Sequence, residues 1–289
     1  MTNRQLFLTH VGQTSEAPLC LEIVKADGCR LFDVNGNEFI DLIGGISVCN
    51  IGHRHPKVIE AIKEQLNDYL HIMVYGELVQ SPQVKYARLL TEHLPATLNS
   101  VFFTASGSEA TEGAMKLAKR FTNRAQIISF KNSYHGSTQG ALSVMGSEYW
   151  QQAYRPLLPG VLQMSYNDFA DLENITESTA CVIAETIQAE AGVLVPQNGW
   201  LAALRKKWTD TGTLLILDEI QCGFGRNGTL WAFEQFDVVP DILLLGKALS
   251  GGMMPVSAVL ADDEIMLTIK PGEHGSTYGG SPLACRTAI

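Results

Sequence analysis

From residue 100 onward, short apolar runs take turns with amphipathic stretches. Val101-Phe102-Phe103 leads into a stretch from about Ser108 to Phe121, where Ala110, Ala114, Leu117, Ala118 and Phe121 recur at helical spacing and share one face. Ile127-Ile128, Cys181-Val182-Ile183-Ala184, Leu214-Leu215-Ile216-Leu217, Ile242-Leu243-Leu244-Leu245 and Val256 to Leu260 are continuous apolar runs. A strand covered on both faces needs that pattern, whereas a strand with one wet face alternates. Buried strands separated by helices predict an α/β fold whose central sheet is mostly parallel and carries helices on both faces. In such sheets ligands bind beyond the C-terminal ends of the strands.

The first hundred residues read differently. Leu21-Glu22-Ile23-Val24 and Arg30-Leu31-Phe32-Asp33 flank Asp27-Gly28, and Asn35-Gly36 precedes Glu38-Phe39-Ile40-Asp41. These predict short strands joined by tight turns. Residues 56–70 predict a helix opened by Pro56, with Val58, Ile59, Ile62, Leu66 and Leu70 on one face. Residues 1–55 are therefore expected to form the N-terminal part of a smaller α+β domain, and residues 56–289 a large ligand-binding domain.

Composition narrows the function classes. Hydrophobic residues make up 46% and charged residues 18%, as expected of a globular enzyme. The net charge of −9, with no basic run, argues against nucleic acid or an anionic membrane as the partner. The N-terminal Leu6-Phe7-Leu8 is too short for a signal-peptide core. The six scattered cysteines read as reduced thiols, so a cytoplasmic location is expected. His53 and His55 have no cysteine or carboxylate at ligand spacing, and no metal site is read there.

Polar residues with chemical potential follow several of the apolar runs. Ser106-Gly107-Ser108-Glu109 follows the first, and Glu185, Asp218 and Lys247 follow later ones. Each has an ordinary structural reading. Ser106 to Glu109 can simply cap a helix, Asp218 can be a turn residue, and Lys247 can snorkel to the surface. Their recurrence on one edge of one sheet favours chemistry. A lysine at the end of a buried strand is costly unless it has a partner or a task, and a desolvated lysine readily forms a Schiff base with a carbonyl. A helix N-terminus at Gly107-Ser108 suits a phosphate. Asp218 can keep a pyridinium nitrogen protonated so that the ring acts as an electron sink, and Tyr134 can stack on a planar ring. Gly223-Phe224-Gly225-Arg226-Asn227-Gly228 matches the spacing of a dinucleotide-binding turn. Such glycines must follow a strand directly, and Asp218 to Cys222 intervene.

Taken together, five stretches resemble the class III, pyridoxal-phosphate-dependent aminotransferases: Ser106 to Ala110, Tyr134-His135-Gly136, Asp218 to Arg226, Leu245 to Gly252, and His274 to Gly280. The resemblance runs from about residue 20 to the C-terminus, and it implies a fold-type I architecture and pyridoxal 5'-phosphate as cofactor. It implies that Lys247 holds the cofactor through its amine and then moves protons as base and acid. Asp218 would pair with the ring nitrogen and Gln221 with the ring's phenolic oxygen. Gly107 and Ser108 would cradle the phosphate, Tyr134 would stack on the ring, and His135 belongs to the same cofactor-binding set. Thr277 would reach the phosphate of a neighbouring subunit, which implies a homodimer. Glu185 and Glu190 are expected on the substrate side. Glu190 is similar to the glutamate that pairs with an arginine in ornithine and 4-aminobutyrate enzymes. The implied reaction is ping-pong transfer of an amino group from ornithine or a similar ω-amino acid to a 2-oxo acid such as 2-oxoglutarate. An epimerase, decarboxylase or aminomutase would keep the same lysine and aspartate.

The chain departs from the family pattern in places. Ser137 stands where many members that bind carboxylate donors carry arginine, and a serine cannot form the bidentate salt bridge. Ile46 occupies a position that is tyrosine in ornithine enzymes and isoleucine in 4-aminobutyrate enzymes, and Thr186 replaces a usual proline. The chain stops at Ile289, inside a helix expected from Pro282. The resemblance therefore implies a C-terminally truncated chain, without the segment that completes the small domain and supplies an acceptor-binding arginine. A catalytically inactive chain is the alternative that this length raises.

Overall fold

The computed structural model describes residues 1–75 and 78–289, apart from the side chain of Trp208. Near the N-terminus, β1 (Ile23–Asp27), β2 (Arg30–Asp33) and β3 (Glu38–Ile40) form an antiparallel three-stranded sheet in that order. The Asn35-Gly36 turn is tied by the Asp33 carboxylate, which accepts from the backbone N–H groups of Asn35 (2.9 Å) and Asn37 (2.8 Å). This is the side-chain mimicry of a turn that aspartate favours. β1 begins two residues later than the apolar pattern suggests.

The main sheet has seven strands: β4 (Ser100–Thr104), β5 (Gln126–Phe130), β6 (Val161–Met164), β7 (Thr179–Glu185), β8 (Leu214–Asp218), β9 (Ile242–Leu245) and β10 (Ser257–Ala261). Their order is β4-β10-β9-β8-β7-β5-β6. The pairings from β9 through to β6 are parallel, whereas β10 runs antiparallel to both β4 and β9. The apolar runs mark these strands closely, but β6, a mixed polar and apolar edge strand, escapes the pattern.

The sheet separates two apolar layers by simple alternation. Ile183, Ile216, Leu244 and Val259 pack against Ala110, Ala114, Leu117 and Ala118 of the helix Gly107–Thr122. Val182, Leu215, Leu217, Leu243 and Leu245 face Trp200, Leu201 and Leu204 of the helix Trp200–Thr211, with Tyr86 and Leu90 of the helix Ser81–Glu92. The continuous apolar runs arise because both faces are covered. Phe121 is an exception to the expected inner face: it remains 43% exposed at the C-terminal turn of its helix. The helix predicted over 56–70 spans Pro56–Asp68, and Gln65 is its buried residue. Val58, Ile59 and Ile62 of the expected face are half-buried, whereas Leu66 and Leu70 are each 51% exposed, so the C-terminal part of that face is not covered by the described part of this chain. Helices do not fill every crossover. Between β8 and β9, and between β9 and β10, only short 3-10 turns occur. Among the described residues no helix is long and apolar enough to cross a membrane, and the six cysteines are all free.

Candidate active site

Four strands deliver polar groups to one edge. β4 ends before Ser106-Gly107-Ser108, β7 ends in Glu185, β8 ends in Asp218, and β9 is followed by Gly246-Lys247. A cavity of about 200 Å3 opens there, with Gly107, Ser108, Tyr134, Asp218, Gln221 and Lys247 among its lining residues. The residues singled out from the strand-end pattern thus converge on one pocket.

Lys247 enters the pocket from a strained backbone, at φ 45° in the left-handed region that side chains other than glycine's avoid. Gly246 makes the sharp exit from β9 possible, because a Cβ there would come within 2.7 Å of Ser257 Oγ. Lys247 Nζ donates to Gln221 Oε1 at 2.8 Å. Burial lowers the pKa of its ammonium, against the opposing pull of Asp218, Glu190 and Glu185. Desolvation therefore favours the neutral, nucleophilic amine.

Asp218 is 4% exposed. Its Oδ1 accepts from Ile220 N at 3.0 Å, and its Oδ2 lies 2.8 Å from His135 Nδ1. Burial works against a charged His135, but the hydrogen bond and charge of Asp218 outweigh it, and the pKa of the imidazole is raised. His135 Nε2 is buried and has no hydrogen-bond partner among the described residues. The pair sets a buried carboxylate against its imidazole partner in the pocket lining.

Another part of the pocket lining is a helix N-terminus. Ser106 caps the helix Gly107–Thr122, its side chain accepting from Glu109 N at 3.3 Å, while Glu109 Oε2 accepts from Ala105 N at 2.8 Å. The capping reading of this motif is correct, and it leaves the N–H groups of Gly107 and Ser108 at the positive end of the helix. Ser137 N donates to Ser108 Oγ at 3.2 Å. Gly136, at φ 126°, lets that loop close over the helix, since a Cβ there would lie 2.2 Å from Ser108 Oγ. Replacing Gly136 with alanine must push the loop away from the helix start. We expect Gly136→Ala to weaken cofactor affinity by about 10-fold or more, equivalent to at least about 1.4 kcal/mol. Titration of the protein with pyridoxal phosphate measures this.

Tyr134 forms a side wall. Its hydroxyl lies 3.3 Å from Ser137 Oγ, and its ring meets Trp150 edge-on at 6.3 Å. Gln221 links Lys247 to Glu190, donating from Nε2 to Glu190 Oε1 at 3.1 Å. Glu190 and Lys247 also border a larger cavity of about 720 Å3, walled by Ile46, Val48, Tyr134 and Trp150. Glu185, expected on the substrate side, lines the inner pocket. It is 5% exposed, and its Oε2 accepts from Tyr134 N at 3.2 Å. Thr277 is exposed and lies in a separate cavity beside His71 and Tyr75, so within one chain it does not join the Lys247 pocket. His53 Nε2 lies 2.7 Å from Asp41 Oδ2, so its ring is engaged by that carboxylate. The glycine-rich stretch 223–228 lies in an irregular loop that follows Glu219 to Cys222 and opens no α-helix.

Glu219 escaped the residue-by-residue reading. It is 2% exposed and accepts from Thr186 Oγ1 (2.9 Å), Ala232 N (2.8 Å) and Phe233 N (2.7 Å). Burial pushes its carboxyl pKa up to about 7 against these donors. The available signal was Thr186, whose hydroxyl is one of those donors where a proline would offer none. Glu219→Ala strands three buried donors, and we expect a loss of about 3 kcal/mol of stability. For a chain of this size that corresponds to a fall in Tm of about 5–10 °C, read by thermal unfolding.

The donor set fits a flat heteroaromatic ring that carries an aldehyde and a phosphate. It offers a desolvated amine, a buried carboxylate, an aromatic wall and a helix N-terminus whose loop approach demands glycine. The chain belongs to the class III aminotransferases, pyridoxal-phosphate-dependent transaminases, and the family model matches residues 11–289. It is similar to the acetylornithine aminotransferase of Methanopyrus kandleri, 45% identical over 279 residues that cover 96% of this chain and 70% of that protein. It is also 40% identical to a [LysW]-aminoadipate semialdehyde/glutamate semialdehyde transaminase of Sulfurisphaera tokodaii, covering 91% of this chain and 67% of that one. Among solved structures, the ornithine aminotransferase of Toxoplasma gondii superposes with a TM-score of 0.91 at 36% identity, over 98% of this chain and 68% of that one.

Proposed function

We propose that this transaminase takes the terminal amine of an ω-amino acid, ornithine or its N-acetyl derivative, and passes it to 2-oxoglutarate in two half-reactions. The observation that carries the reading is the convergence of Lys247 Nζ and the buried Asp218–His135 pair in one cavity, on the neighbouring strands β9 and β8. The similarity to enzymes named for acetylornithine and ornithine supports the donor class.

Pyridoxal phosphate, when bound, supplies an aldehyde that captures amines and a ring that accepts electrons from the carbon beside them. The chain's own residues do the rest. Lys247 Nζ anchors the cofactor and then carries a proton to and from the substrate carbon that bears the amine. The carboxylate of Asp218 would keep a ring nitrogen protonated, and His135 fixes that carboxylate through its 2.8 Å contact. Gly107 and Ser108 bind the phosphate with backbone N–H groups, and Ser108 adds its hydroxyl. Tyr134 would stack on the ring as a wall of the pocket, and Gln221 would hydrogen-bond its phenolic oxygen. Glu190 borders the larger outer cavity on the substrate side, and Glu185 lines the inner pocket behind it. We also propose a homodimer: Thr277 is exposed and remote from the Lys247 pocket, so a role at a cofactor requires a second chain.

A half-reaction assay tests the donor. Cofactor-loaded protein is mixed with ornithine, N-acetylornithine or 4-aminobutyrate without acceptor, and loss of the visible cofactor band is followed. Bleaching by an ω-amine donor, reversed by 2-oxoglutarate, supports the reading. A band that none of the donors bleaches contradicts it.

A further inference from the structure

Glu185 and Asp218 are Cα partners on the parallel strands β7 and β8, so their side chains leave the same face of the sheet at the same level. Glu185, Asp218 and His135 are 5%, 4% and 2% exposed. Glu185 Oε2 is tied to the backbone N–H of Tyr134 at 3.2 Å, which binds it to the loop that carries His135. Two carboxyls and one imidazole therefore share a dry space in which net charge is costly. The low-cost arrangement pairs a charged Asp218 with a charged His135 and leaves Glu185 protonated. Burial pushes the Glu185 carboxyl up to about 7, with His135 and the Tyr134 N–H opposing and Asp218 and Glu190 reinforcing. Glu185 in turn pulls Lys247, at the end of β9, toward its charged form. The remaining titratable neighbours are the Tyr166 hydroxyl, which donates to the Glu185 backbone oxygen at 3.2 Å, and the Cys222 thiol. Burial pushes both far above neutral, so they stay uncharged.

A protonated pyridine nitrogen brought against Asp218 adds a positive charge to this space. We propose that Glu185 is the counter-charge to the cofactor's ring nitrogen, giving up its carboxyl proton when a protonated ring lies beside Asp218. This rests on the cofactor reading given above. The O–H bond of Glu185 breaks and its proton leaves to solvent through the open pocket that Glu185 lines, the ring nitrogen keeps the proton it arrived with, and no electrons move between groups. Asp218 and His135 then hold one charge of each sign, and Glu185 and the ring add a second pair, so the cluster stays neutral. Glu185 acts through Asp218 and His135 and is a positioning residue, which keeps the ring protonated without touching it.

Infrared difference spectroscopy tests this directly. Protein carrying glutamate labelled with carbon-13 at the side-chain carboxyl is compared with and without pyridoxal phosphate, at about pH 6, on the acid side of the raised Glu185 carboxyl. Loading is verified independently by the visible band. The expected result is loss of one protonated-carboxyl band bearing the glutamate label, with a matching gain of carboxylate. Glu185→Gln, which keeps the size and the acceptor for Tyr134 N, removes that signal, and Glu219→Gln retains it. If Glu185→Gln does not fold, the Glu219→Gln protein decides: retention supports Glu185, and loss assigns the signal to Glu219 and overturns the proposal. A visible band without any change at labelled glutamate, or a change that survives Glu185→Gln, overturns the proposal alone. Absence of the visible band overturns the cofactor reading, and the proposal falls with it.

Discussion

Lys247→Ala should abolish both cofactor attachment and turnover while leaving the fold intact. The left-handed backbone at this residue is equally unfavourable for alanine and lysine, so the substitution adds no new strain. The side chain's hydrogen-bond partner among the described residues, Gln221, sits at the pocket edge with Glu190 as a second contact. Removing the amine removes the covalent anchor and the group that moves protons at the substrate carbon. Lost proton transfer alone costs about 10²–10⁴-fold in rate, and loss of the anchor adds to it. Thermal unfolding should show a Tm near that of the wild-type protein, and kcat should fall below detection in a coupled assay.

Asp218→Asn should separate binding from catalysis. The amide keeps the shape but cannot hold a charge opposite the ring nitrogen. It also deprives His135 of a partner 2.8 Å away inside a closed pocket. Breaking a buried charged pair from one side costs about 3–5 kcal/mol of stability. Losing the preorganised charge opposite the ring nitrogen costs about 10²–10³-fold in kcat. Lys247 is untouched, so the visible band of the bound cofactor should persist. The pKa of His135 should fall towards and below its ordinary value, because burial then acts without the opposing carboxylate. Retained cofactor with turnover reduced by at least 100-fold, and a lowered His135 titration followed by NMR, is the expected pattern. Unchanged turnover would remove Asp218 from the mechanism.

Strand-end chemistry was legible because it follows from topology. Once Cys181 to Ala184, Leu214 to Leu217 and Ile242 to Leu245 are read as parallel and doubly covered, Glu185, Asp218 and Lys247 must lie on one edge, as they do. The apolar alternation of the core carries the same information. What the sequence hides is what depends on contact. The reversed direction of β10 leaves no mark, because a strand buried on both faces reads alike in either direction. The role of Glu219 depends on Ala232 N and Phe233 N, which chain distance separates from it. The exposure of Leu66, Leu70 and Phe121 shows that helical periodicity identifies an apolar face but not whether a neighbour covers it. The spacing of glycines at 223–228 shows the reverse error, a pattern without the strand and helix that give it meaning.

The central claim is that Lys247 holds the cofactor at the edge of this sheet. The most direct measurement is borohydride reduction of the pyridoxal-phosphate-loaded protein, followed by proteolysis and mass spectrometry of the peptides. Reduction locks the cofactor onto whichever amine carries it. The account predicts the added mass on the peptide containing Leu245-Gly246-Lys247-Ala248, and its absence from the Lys247→Ala protein. Label on another lysine, or no label in protein that folds and has been given cofactor, would contradict it.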